Sequence, residues 1–272
     1  MMDILFYKIT LIVYLLSTVG YIASLLVRKV LMARAATWVF FAAFISHTIF
    51  LVLRYMKTGY SPVIGFHETL SFFAWIMTAI YLALQLKTKT RVFGAFVSPV
   101  VFLLVIVASI RLGGNVLLPA VLQGSLVPVH IILSVTGEAL FVLASGAGAM
   151  YLIQENFIKK KKVTSFSRLL PPLRDLDNIN HLCLLLGFPL LTLGILLGAI
   201  WARTVWGSHW QWDPKQVWTL LAWISYGVVL HQRLALGWKG QKAALLSLMV
   251  LGFFLVFFVV ARLCFTTVHR FI

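Results

Sequence analysis

Tryptophan is concentrated in one short stretch of this chain. The segment WGSHWQWDPKQVW covers residues 206–218, and six of the nine tryptophans fall between residues 201 and 223. Indole rings also gather at membrane interfaces, but such a belt is spread over all the helix ends. Trp206, Trp210 and Trp212 are instead predicted to share one connecting loop. This favours a platform for a planar aromatic ligand, because ring contacts bury a large apolar area.

Histidine is the residue type in this chain with metal-ligand chemistry. The chain has seven histidines: His47, His67, His130, His181, His209, His231 and His269. No pair has the close spacing of a zinc motif such as HExxH. Four are predicted to lie on the same membrane side as the tryptophan-rich loop, namely His67, His130, His209 and His269. A single histidine at a helix end is usually solvated or a cap, but imidazole is a common axial ligand of haem iron, so this grouping favours a haem site.

The residues that follow the tryptophans predict the start of a helix. Asp213 is a strong N-cap, Pro214 suits the first helical position, and Gln216 can bond back to the backbone of the cap. From the residues alone we interpret Asp213 as a helix cap rather than as a catalyst.

Composition places the whole chain in a membrane. The 272 residues are 61% hydrophobic and only 11% charged, and a soluble domain cannot bury that much apolar surface. Apolar runs of about 20 residues, the length of a membrane-spanning helix, recur along the sequence. They predict eight spans, at residues 4–27, 36–54, 67–86, 92–110, 126–153, 182–202, 214–232 and 242–264. We expect an all-α integral membrane protein with a single polytopic domain over residues 1–272.

Basic residues mark one side of this predicted bundle. Of the 23 lysines and arginines, 15 fall between spans 1 and 2, 3 and 4, 5 and 6, and 7 and 8. The positive-inside rule makes that side cytoplasmic, so both termini and the loops 55–66, 111–125 and 203–213 face outward. The net charge of +16 is attributed to this topology and to lipid headgroups, and no nucleic-acid partner is expected.

Two ionisable residues fall inside predicted spans. Glu138 follows His130 by eight residues, about two helical turns, and an intramembrane carboxylate is a functional candidate, although the sequence gives it no role. His47 lies midway along the second span, where we interpret it as a buried, packed histidine rather than as a ligand.

Small residues and cysteines have structural interpretations. Gly194 and Gly198 are four residues apart, so they share a helix face that another helix can approach closely. Cys183 and Cys264 are predicted near opposite membrane faces, so we expect no disulfide between them. The chain has no CxxC motif, which argues against a thiol-disulfide carrier.

The tryptophan-rich region also resembles a known family. The stretch GAIWARTVWGSHWQWDPKQVWTLLAWISYGVVLHQR, residues 198–233, resembles the WWD haem-handling signature and is most similar to that of the CcsA (ResC) cytochrome c assembly proteins. The segments SLVPVHIILSVTGEALFVLASGAGAMYLIQE, HLCLLLGFPLLTLGILLGAIWA and TTVHRF resemble the flanking regions of the same family. The resemblance covers roughly residues 60–272.

In that family the tryptophan-rich loop holds haem b on the outer face. The resemblance implies that His130 and His269 are its axial ligands and that His231 is a ligand of the inward haem route within the membrane, with no metal other than haem iron. The implied haem platform consists of Trp206, Trp210, Trp212 and Asp213. Haem propionates are negatively charged, so the candidates for pairing with them are Arg203, Lys215 and Arg270.

The resemblance implies the haem-handling subunit of a cytochrome c synthase of the System II type. Haem would pass to the outer face and be presented for thioether attachment to the CxxCH motif of an apocytochrome c. The chain would form part of a holocytochrome c synthase, or haem lyase, with a CcsB (ResB)-type membrane protein. The expected location is a bacterial or plastid-type inner, energy-transducing membrane. No external base is evident in the sequence, so catalysis would rest mainly on positioning.

Three other interpretations fit the same residues. A HemX-type haem-handling or regulatory membrane protein has a similar length and signature but need not build cytochromes. A CcmC-like haem delivery protein is a second alternative, and a transporter without a bound cofactor, in which the tryptophan-rich loop acts as a lid, is a third. A transporter should purify without a Soret band, whereas separating a synthase from a HemX-type protein requires an assay of cytochrome maturation.

Overall fold

The computed structural model of the protein describes residues 2–27, 29–88, 91–110, 122, 124–161 and 167–264. This part of the chain contains eight α-helices and no strand. The helices are α1 (Met2–Val27), α2 (Val30–Thr58), α3 (Phe66–Thr88), α4 (Gly94–Ser109), α5 (Leu126–Lys159), α6 (Leu173–Trp206), α7 (Pro214–Leu234) and α8 (Gln241–Cys264). A 3₁₀ turn, Arg91–Phe93, leads into α4.

Helices α1, α2, α3, α5 and α6 are long and apolar enough to cross a membrane, and so is α4 together with the 3₁₀ turn that leads into it. The predicted fold class, an all-α multi-pass membrane protein, is therefore confirmed. Among the residues whose side chains the structure describes, α7 does not meet the same criterion, and the segment Gln241–Val256 of α8 is apolar. The count of eight spans, like the single domain over residues 1–272, stays a prediction.

Helices α5 and α6 extend beyond the apolar runs that predicted them. The runs covered residues 126–153 and 182–202, whereas the helices are Leu126–Lys159 and Leu173–Trp206. The added turns are rich in polar and charged residues. Hydropathy detects the part of a helix that suits lipid, whereas backbone hydrogen bonding continues into polar turns outside the hydrocarbon.

The described helices group into two compact units, and the first holds α1 to α4 with the end of α5 and the start of α6. In this unit α1 turns its polar face inward. Its buried residues are Asp3, Tyr7, Thr10, Tyr14, Ser17, Thr18, Tyr21 and Ser24. Its exposed side chains are mostly leucine, isoleucine and valine. This is the reverse of a helix in a water-soluble protein, and it suits a helix whose outer surface contacts lipid.

His47 lies at the centre of the polar core of this first unit. Its Nε2 is 2.9 Å from Ser71 Oγ, and its Nδ1 is 3.3 Å from the Tyr14 hydroxyl, which also lies 3.1 Å from Thr78 Oγ1. The side chain of His47 is fully buried. Because both ring nitrogens have hydrogen-bond partners, the interpretation of His47 as a packed histidine is confirmed.

The second unit holds the rest of α5 and α6 together with α7 and α8, and within it α5 and α6 are in close contact. A Cβ atom added at Gly137 would lie 2.9 Å from the Gly187 carbonyl oxygen, and one added at Gly194 would lie 3.0 Å from the backbone nitrogen of Ser134. Only glycine permits backbones this close. The close approach predicted for the face of Gly194 and Gly198 is therefore confirmed.

Aromatic rings hold α7 against its neighbours in the second unit. Tyr226 stacks on Phe141 of α5 with ring centroids 3.6 Å apart, and Trp223 stacks on Phe188 of α6 at 5.3 Å. The indole of Trp223 also donates to Thr192 Oγ1 over 2.7 Å. These contacts fix the helix that follows the tryptophan-rich loop.

Candidate functional site

The tryptophan-rich loop is shorter than the sequence predicted. Helix α6 continues through Trp206, whose ring lies 5.3 Å from that of Trp201 in an edge-on arrangement. The helix ends at Gly207, which has a φ of +73° and whose backbone N–H donates to the Arg203 carbonyl over 2.9 Å. A glycine in the left-handed region is a common helix terminator. The prediction that Trp206 shares the loop with Trp210 and Trp212 is therefore wrong, because its side chain belongs to the last turn of α6.

The start of α7 has the predicted cap with one difference. The Asp213 carboxylate accepts the backbone N–H of Lys215 over 3.0 Å, and Pro214 is the first helical residue. The capping role of Asp213 is confirmed. Gln216, expected to bond back to the cap residue, accepts the backbone N–H of Gln211 over 2.8 Å. The side chain of Gln216 thus ties the loop, rather than the cap, to the first turn of the helix.

Trp210 and Trp212 lie together at the tip of the loop. Their ring centroids are 5.8 Å apart and nearly perpendicular. Trp212 is 76% exposed and has a φ of +54°, a backbone conformation that is uncommon for a residue other than glycine and that recurs at ligand sites. The indole Nε1 of Trp210 is buried and has no hydrogen-bond partner among the described residues. The loop therefore presents one open indole face and one buried donor without an acceptor.

His209 is engaged within the loop. Its Nδ1 lies 3.1 Å from the Ala199 carbonyl oxygen, and its Nε2 lies 3.4 Å from Nη1 of Arg203. Because a carbonyl only accepts and a guanidinium only donates, Nδ1 carries the proton and Nε2 accepts. His209 therefore fastens the loop to the end of α6. Arg203, one of the candidate propionate contacts, is exposed and directed to this histidine.

His130 has a different arrangement in the second turn of α5. Its Nδ1 lies 2.6 Å from the carbonyl oxygen of Gly194 on α6. The ring is half-buried, and its Nε2 has no hydrogen-bond partner among the described residues. Gly198 of α6 faces this ring. Gly198 lies eight residues before the end of α6, which corresponds to about 12 Å along the helix axis. One nitrogen is fixed, and the other keeps its ligating capacity.

Two charged residues of the second unit accompany His130. Lys215 is exposed in the first turn of α7 and interacts electrostatically with Asp213, with Glu138 of α5 and with His130. Glu138, the intramembrane carboxylate for which the sequence gave no role, thus lies within electrostatic range of a lysine. A lysine at the start of α7 also adds positive charge beside the tryptophan-rich loop.

His231 lies at the other end of α7 from the tryptophan-rich loop. It is exposed in the last turn of the helix. Near it, Arg233 donates from Nη1 to Asp177 Oδ1 over 2.9 Å and to Asn180 Oδ1 over 3.0 Å. The sequence predicts Arg233 only as a basic loop residue and does not predict its pairing with the partly buried Asp177. The available signal was an arginine next to a predicted span, together with aspartate and asparagine near the start of another.

His67, at the start of α3 in the first unit, shares one property with His130. Its Nδ1 lies 3.2 Å from the Val107 carbonyl oxygen, and the residue is half-buried. Cys183 is free and buried. His269 and Arg270 lie outside the described residues, so their predicted roles stay predictions.

The fold and these side chains define a multi-pass α-helical membrane protein with a tryptophan-rich loop between two helices. The sequence pattern of the cytochrome c assembly protein family matches residues 63–269. The chain is 31% identical over 279 residues to the cytochrome c biogenesis protein CcsA of Guillardia theta, covering 92% of this chain and 89% of that protein. It is 31% identical to CcsA of Chlorella vulgaris over 233 residues, 74% of each chain, and to CcsA of Pyropia yezoensis over 263 residues, 82% of each chain. The chain therefore belongs to the cytochrome c assembly protein family, with a role in cytochrome c biogenesis that implies haem handling.

Proposed function

We propose that this protein is the haem-handling membrane subunit of a System II cytochrome c synthase. It brings haem b to the outer face of the membrane and presents it to an apocytochrome c that carries a CxxCH motif. The observation that carries this proposal is the arrangement of His130, which has Nδ1 bonded to the Gly194 carbonyl and Nε2 available to a metal. Metal-ligating histidines almost always donate their second ring N–H in this way.

The side chains of the second unit fit a haem substrate. Haem has an apolar aromatic face, an iron that accepts imidazole nitrogen, and two carboxylates. Trp212 offers an open indole surface, and His130 offers Nε2. The unpartnered Nε1 of Trp210 is a donor suited to a carboxylate oxygen, and the ammonium of Lys215 adds the opposite charge. These residues, together with Asp213 at the helix cap, form the proposed platform, and Trp206 supports it from the end of α6.

His269 supplies the second axial ligand in this proposal, as in the family that the chain resembles. Arg270 adjoins it and is a further candidate for a propionate contact, as is Arg203. Because Arg203 is directed to His209, it supports the loop as well. Among the described residues, Trp210 and Lys215 are the stronger candidates for carboxylate binding. The indole donor of Trp210 has no partner there, and the ammonium of Lys215 carries the charge opposite to that of a propionate.

The proposed orientation places the tryptophan-rich loop and both termini on the external side of a bacterial or plastid-type inner membrane. It rests on the concentration of basic residues in the opposite loops. In this orientation a secreted substrate meets the haem beside the tryptophan-rich loop.

Reporter fusions test this orientation. Fusions after Lys162 should be cytoplasmic, and fusions within residues 111–125 should be external. External activity after Lys162 would exclude the proposed site.

The chemistry is the addition of the two CxxCH cysteine thiols across the two haem vinyl groups, which forms two thioether bonds. The protein contributes binding and orientation. The platform fixes the plane of the macrocycle, and the axial histidines fix its iron. A rigid, correctly placed substrate lowers the entropic barrier of the bimolecular step. The described part of the site supplies no evident general base, so the thiolate comes from the substrate peptide and its solvent.

The inward haem route begins at the other end of α7. His231 is the proposed membrane ligand there, and a CcsB (ResB)-type partner supplies the second ligand and a large external domain. The straight-line rise from Pro214 to His231 is about 26 Å, close to the hydrocarbon thickness of about 30 Å. A single helix thus connects the proposed cytoplasmic and external sites.

Co-expression tests this function directly. The chain is expressed with a CcsB-type partner and an apocytochrome c, and the denatured cytochrome is stained for haem. We expect covalent haem on the cytochrome only when both membrane proteins are present. A chain that purifies with haem but yields no stained cytochrome supports the HemX-type or CcmC-like alternative. A chain that purifies without a Soret band supports the transporter alternative.

A further inference from the structure

His130 occupies a notch in α6 that exists because residue 198 is glycine. A Cβ atom added at Gly198 would lie 2.6 Å from Cε1 of His130, 2.8 Å from Nδ1 and 3.3 Å from Nε2. All three of the nearest atoms belong to the imidazole ring. The ring therefore fills the space that any other side chain at position 198 would take.

The Gly194 carbonyl, at the base of this notch, selects one tautomer of the neutral ring. The Gly194 carbonyl oxygen lies 2.6 Å from Nδ1 of His130. A carbonyl oxygen has no proton to give, so Nδ1 must carry the hydrogen of a neutral imidazole. The lone pair is then on Nε2, which is directed away from the Gly194 carbonyl because the two nitrogens lie across the ring.

We propose that Gly198 and the Gly194 carbonyl are positioning elements that fix the tautomer and direction of His130, so that Nε2 alone ligates the haem iron. This inference rests on the proposed function, in which His130 is an axial ligand. Neither glycine touches the substrate in this proposal. Both act through the imidazole, as second partners of metal-bound histidines do.

Gly198 differs from the other glycines along the contact of α5 with α6. A Cβ atom at Gly194 would meet backbone atoms of Ser134 at 3.0 and 3.1 Å, and one at Gly137 would meet the backbone of Gly187 and Leu191 at 2.9 Å. Substitution at those sites must move one helix from the other. At Gly198 the added atom meets only a side chain among its nearest atoms, and that side chain can rotate away. Gly198→Ala is thus expected to redirect the ring and leave the helices in place.

The hydrogen bond to Gly194 also has an electronic consequence. Donation from Nδ1 makes the imidazole more basic at Nε2, and a more basic ligand favours ferric over ferrous iron. Loss of the bond should therefore raise the midpoint potential of the bound haem. A purely structural role of Gly198 would lower the amount of folded protein without shifting the potential of the haem that remains.

The first test compares Gly198→Ala with Gly252→Ala. A Cβ atom at Gly252, in α8, has no neighbour within 4 Å, so this variant controls for an added methyl group in a helix. Both are purified with the CcsB-type partner, and haem content, absorption spectrum and midpoint potential are measured. For Gly198→Ala we expect normal protein yield, about 10- to 100-fold weaker haem retention, an altered Soret band and a higher midpoint potential. Unchanged values for all three haem measurements would overturn the inference.

A double variant shows whether the effect passes through His130. In His130→Gly with added imidazole, the free ligand is not tethered to α5 and can shift away from a methyl group at position 198. Adding Gly198→Ala to that background should therefore cause little further loss of haem. A second loss as large as the first would show that Gly198 acts without His130 and would overturn the inference.

The same experiments separate this inference from the proposed function. If His130→Gly itself keeps a wild-type spectrum, His130 is not a ligand and the proposed site is wrong. If His130→Gly loses haem but Gly198→Ala does not, only the positioning role fails. Should Gly198→Ala reduce folded yield, the double variant decides the matter. Removal of the His130 ring makes room for the methyl group, so the yield of the double variant should recover. A yield that stays low would contradict the claim that the ring occupies the space beside Gly198.

Discussion

The guanidinium of Arg233 and the carboxylate of Asp177 form a hydrogen-bonded ion pair, with Nη1 and Oδ1 2.9 Å apart. The same carboxylate oxygen accepts the backbone N–H of Gly240 over 2.9 Å. Asp177 belongs to α6, Arg233 to α7, and Gly240 directly precedes α8. One carboxylate therefore holds the ends of three helices of the second unit, next to the exposed His231.

Removal of the arginine should destabilise this end of the unit. Arg233→Met leaves the partly buried Asp177 carboxylate without its charge partner, which we expect to cost about 3 kcal/mol in the free energy of unfolding. The measurement is an unfolding titration in detergent micelles. Lys239→Met, in the exposed turn before α8, is the matched control and should change stability little. Equal midpoints for the two variants would show that the ion pair contributes nothing to stability.

His231 should matter for haem at the other end of α7, although it is remote from the tryptophan-rich loop. As a ligand of the inward route, it controls how much haem reaches the external site. His231→Ala should lower external haem in the assembled complex, and added imidazole should restore it by filling the vacant coordination position. Haem content and cytochrome maturation are the measurements. His181→Ala is a control at the same end of the unit, and normal maturation by His231→Ala would remove this helix from the haem route.

The axial-ligand assignment predicts two matching phenotypes. His130→Gly and His269→Gly should each reduce bound haem or shift its spectrum, because each removes one imidazole from the iron, and imidazole should partly restore both. His209→Gly is the control from the tryptophan-rich loop. Both nitrogens of His209 are already engaged, by Ala199 and Arg203, so its loss should not be rescued by imidazole. If both ligand variants keep a wild-type spectrum, the assignment moves to His67, whose Nδ1 is also held by a carbonyl.

The fold class, the cap at Asp213 and the glycine contact were predictable because each depends on local pattern. Apolar run length predicts a spanning helix, and Asp-Pro predicts a helix start. Glycines four residues apart predict a helix face open to close approach. The end of α6 was not predictable in the same way. Trp206 continues the helix because the left-handed residue that ends it is Gly207, and a tryptophan-rich sequence shows no boundary of its own.

Tertiary contacts limited the prediction of the candidate site. The partner of Gln216 is Gln211 rather than the cap, since the path of the loop decides which backbone N–H is within reach. The bond from His130 to Gly194 joins residues 64 positions apart, so no local pattern indicates it. His209 lies only six positions from Arg203, but the path of the loop decides whether the two side chains meet, and this contact distinguishes a loop-fastening histidine from a candidate ligand. Residue type indicates which histidines to consider, whereas the packing of α5 on α6 at His130 and the path of the loop at His209 distinguish between these two.

The buried indole nitrogen of Trp210 leads to the last prediction. Its N–H has no acceptor among the described residues, and we expect a haem propionate to accept from it. Trp210→Phe keeps most of the apolar ring but removes the donor, so haem retention should fall about tenfold, the loss expected for one hydrogen bond to a charged group. The measurement is haem retained during purification, followed by titration with haem dimethyl ester, which has no free carboxylates. Wild-type protein should bind the ester more weakly than haem, and Trp210→Phe should bind haem and the ester with more equal affinity.

Trp238→Phe is the control for this prediction; the indole of Trp238 lies 5.4 Å from the ammonium of Lys242. If Trp210→Phe discriminates between haem and its ester as strongly as Trp238→Phe does, the indole does not bind a propionate.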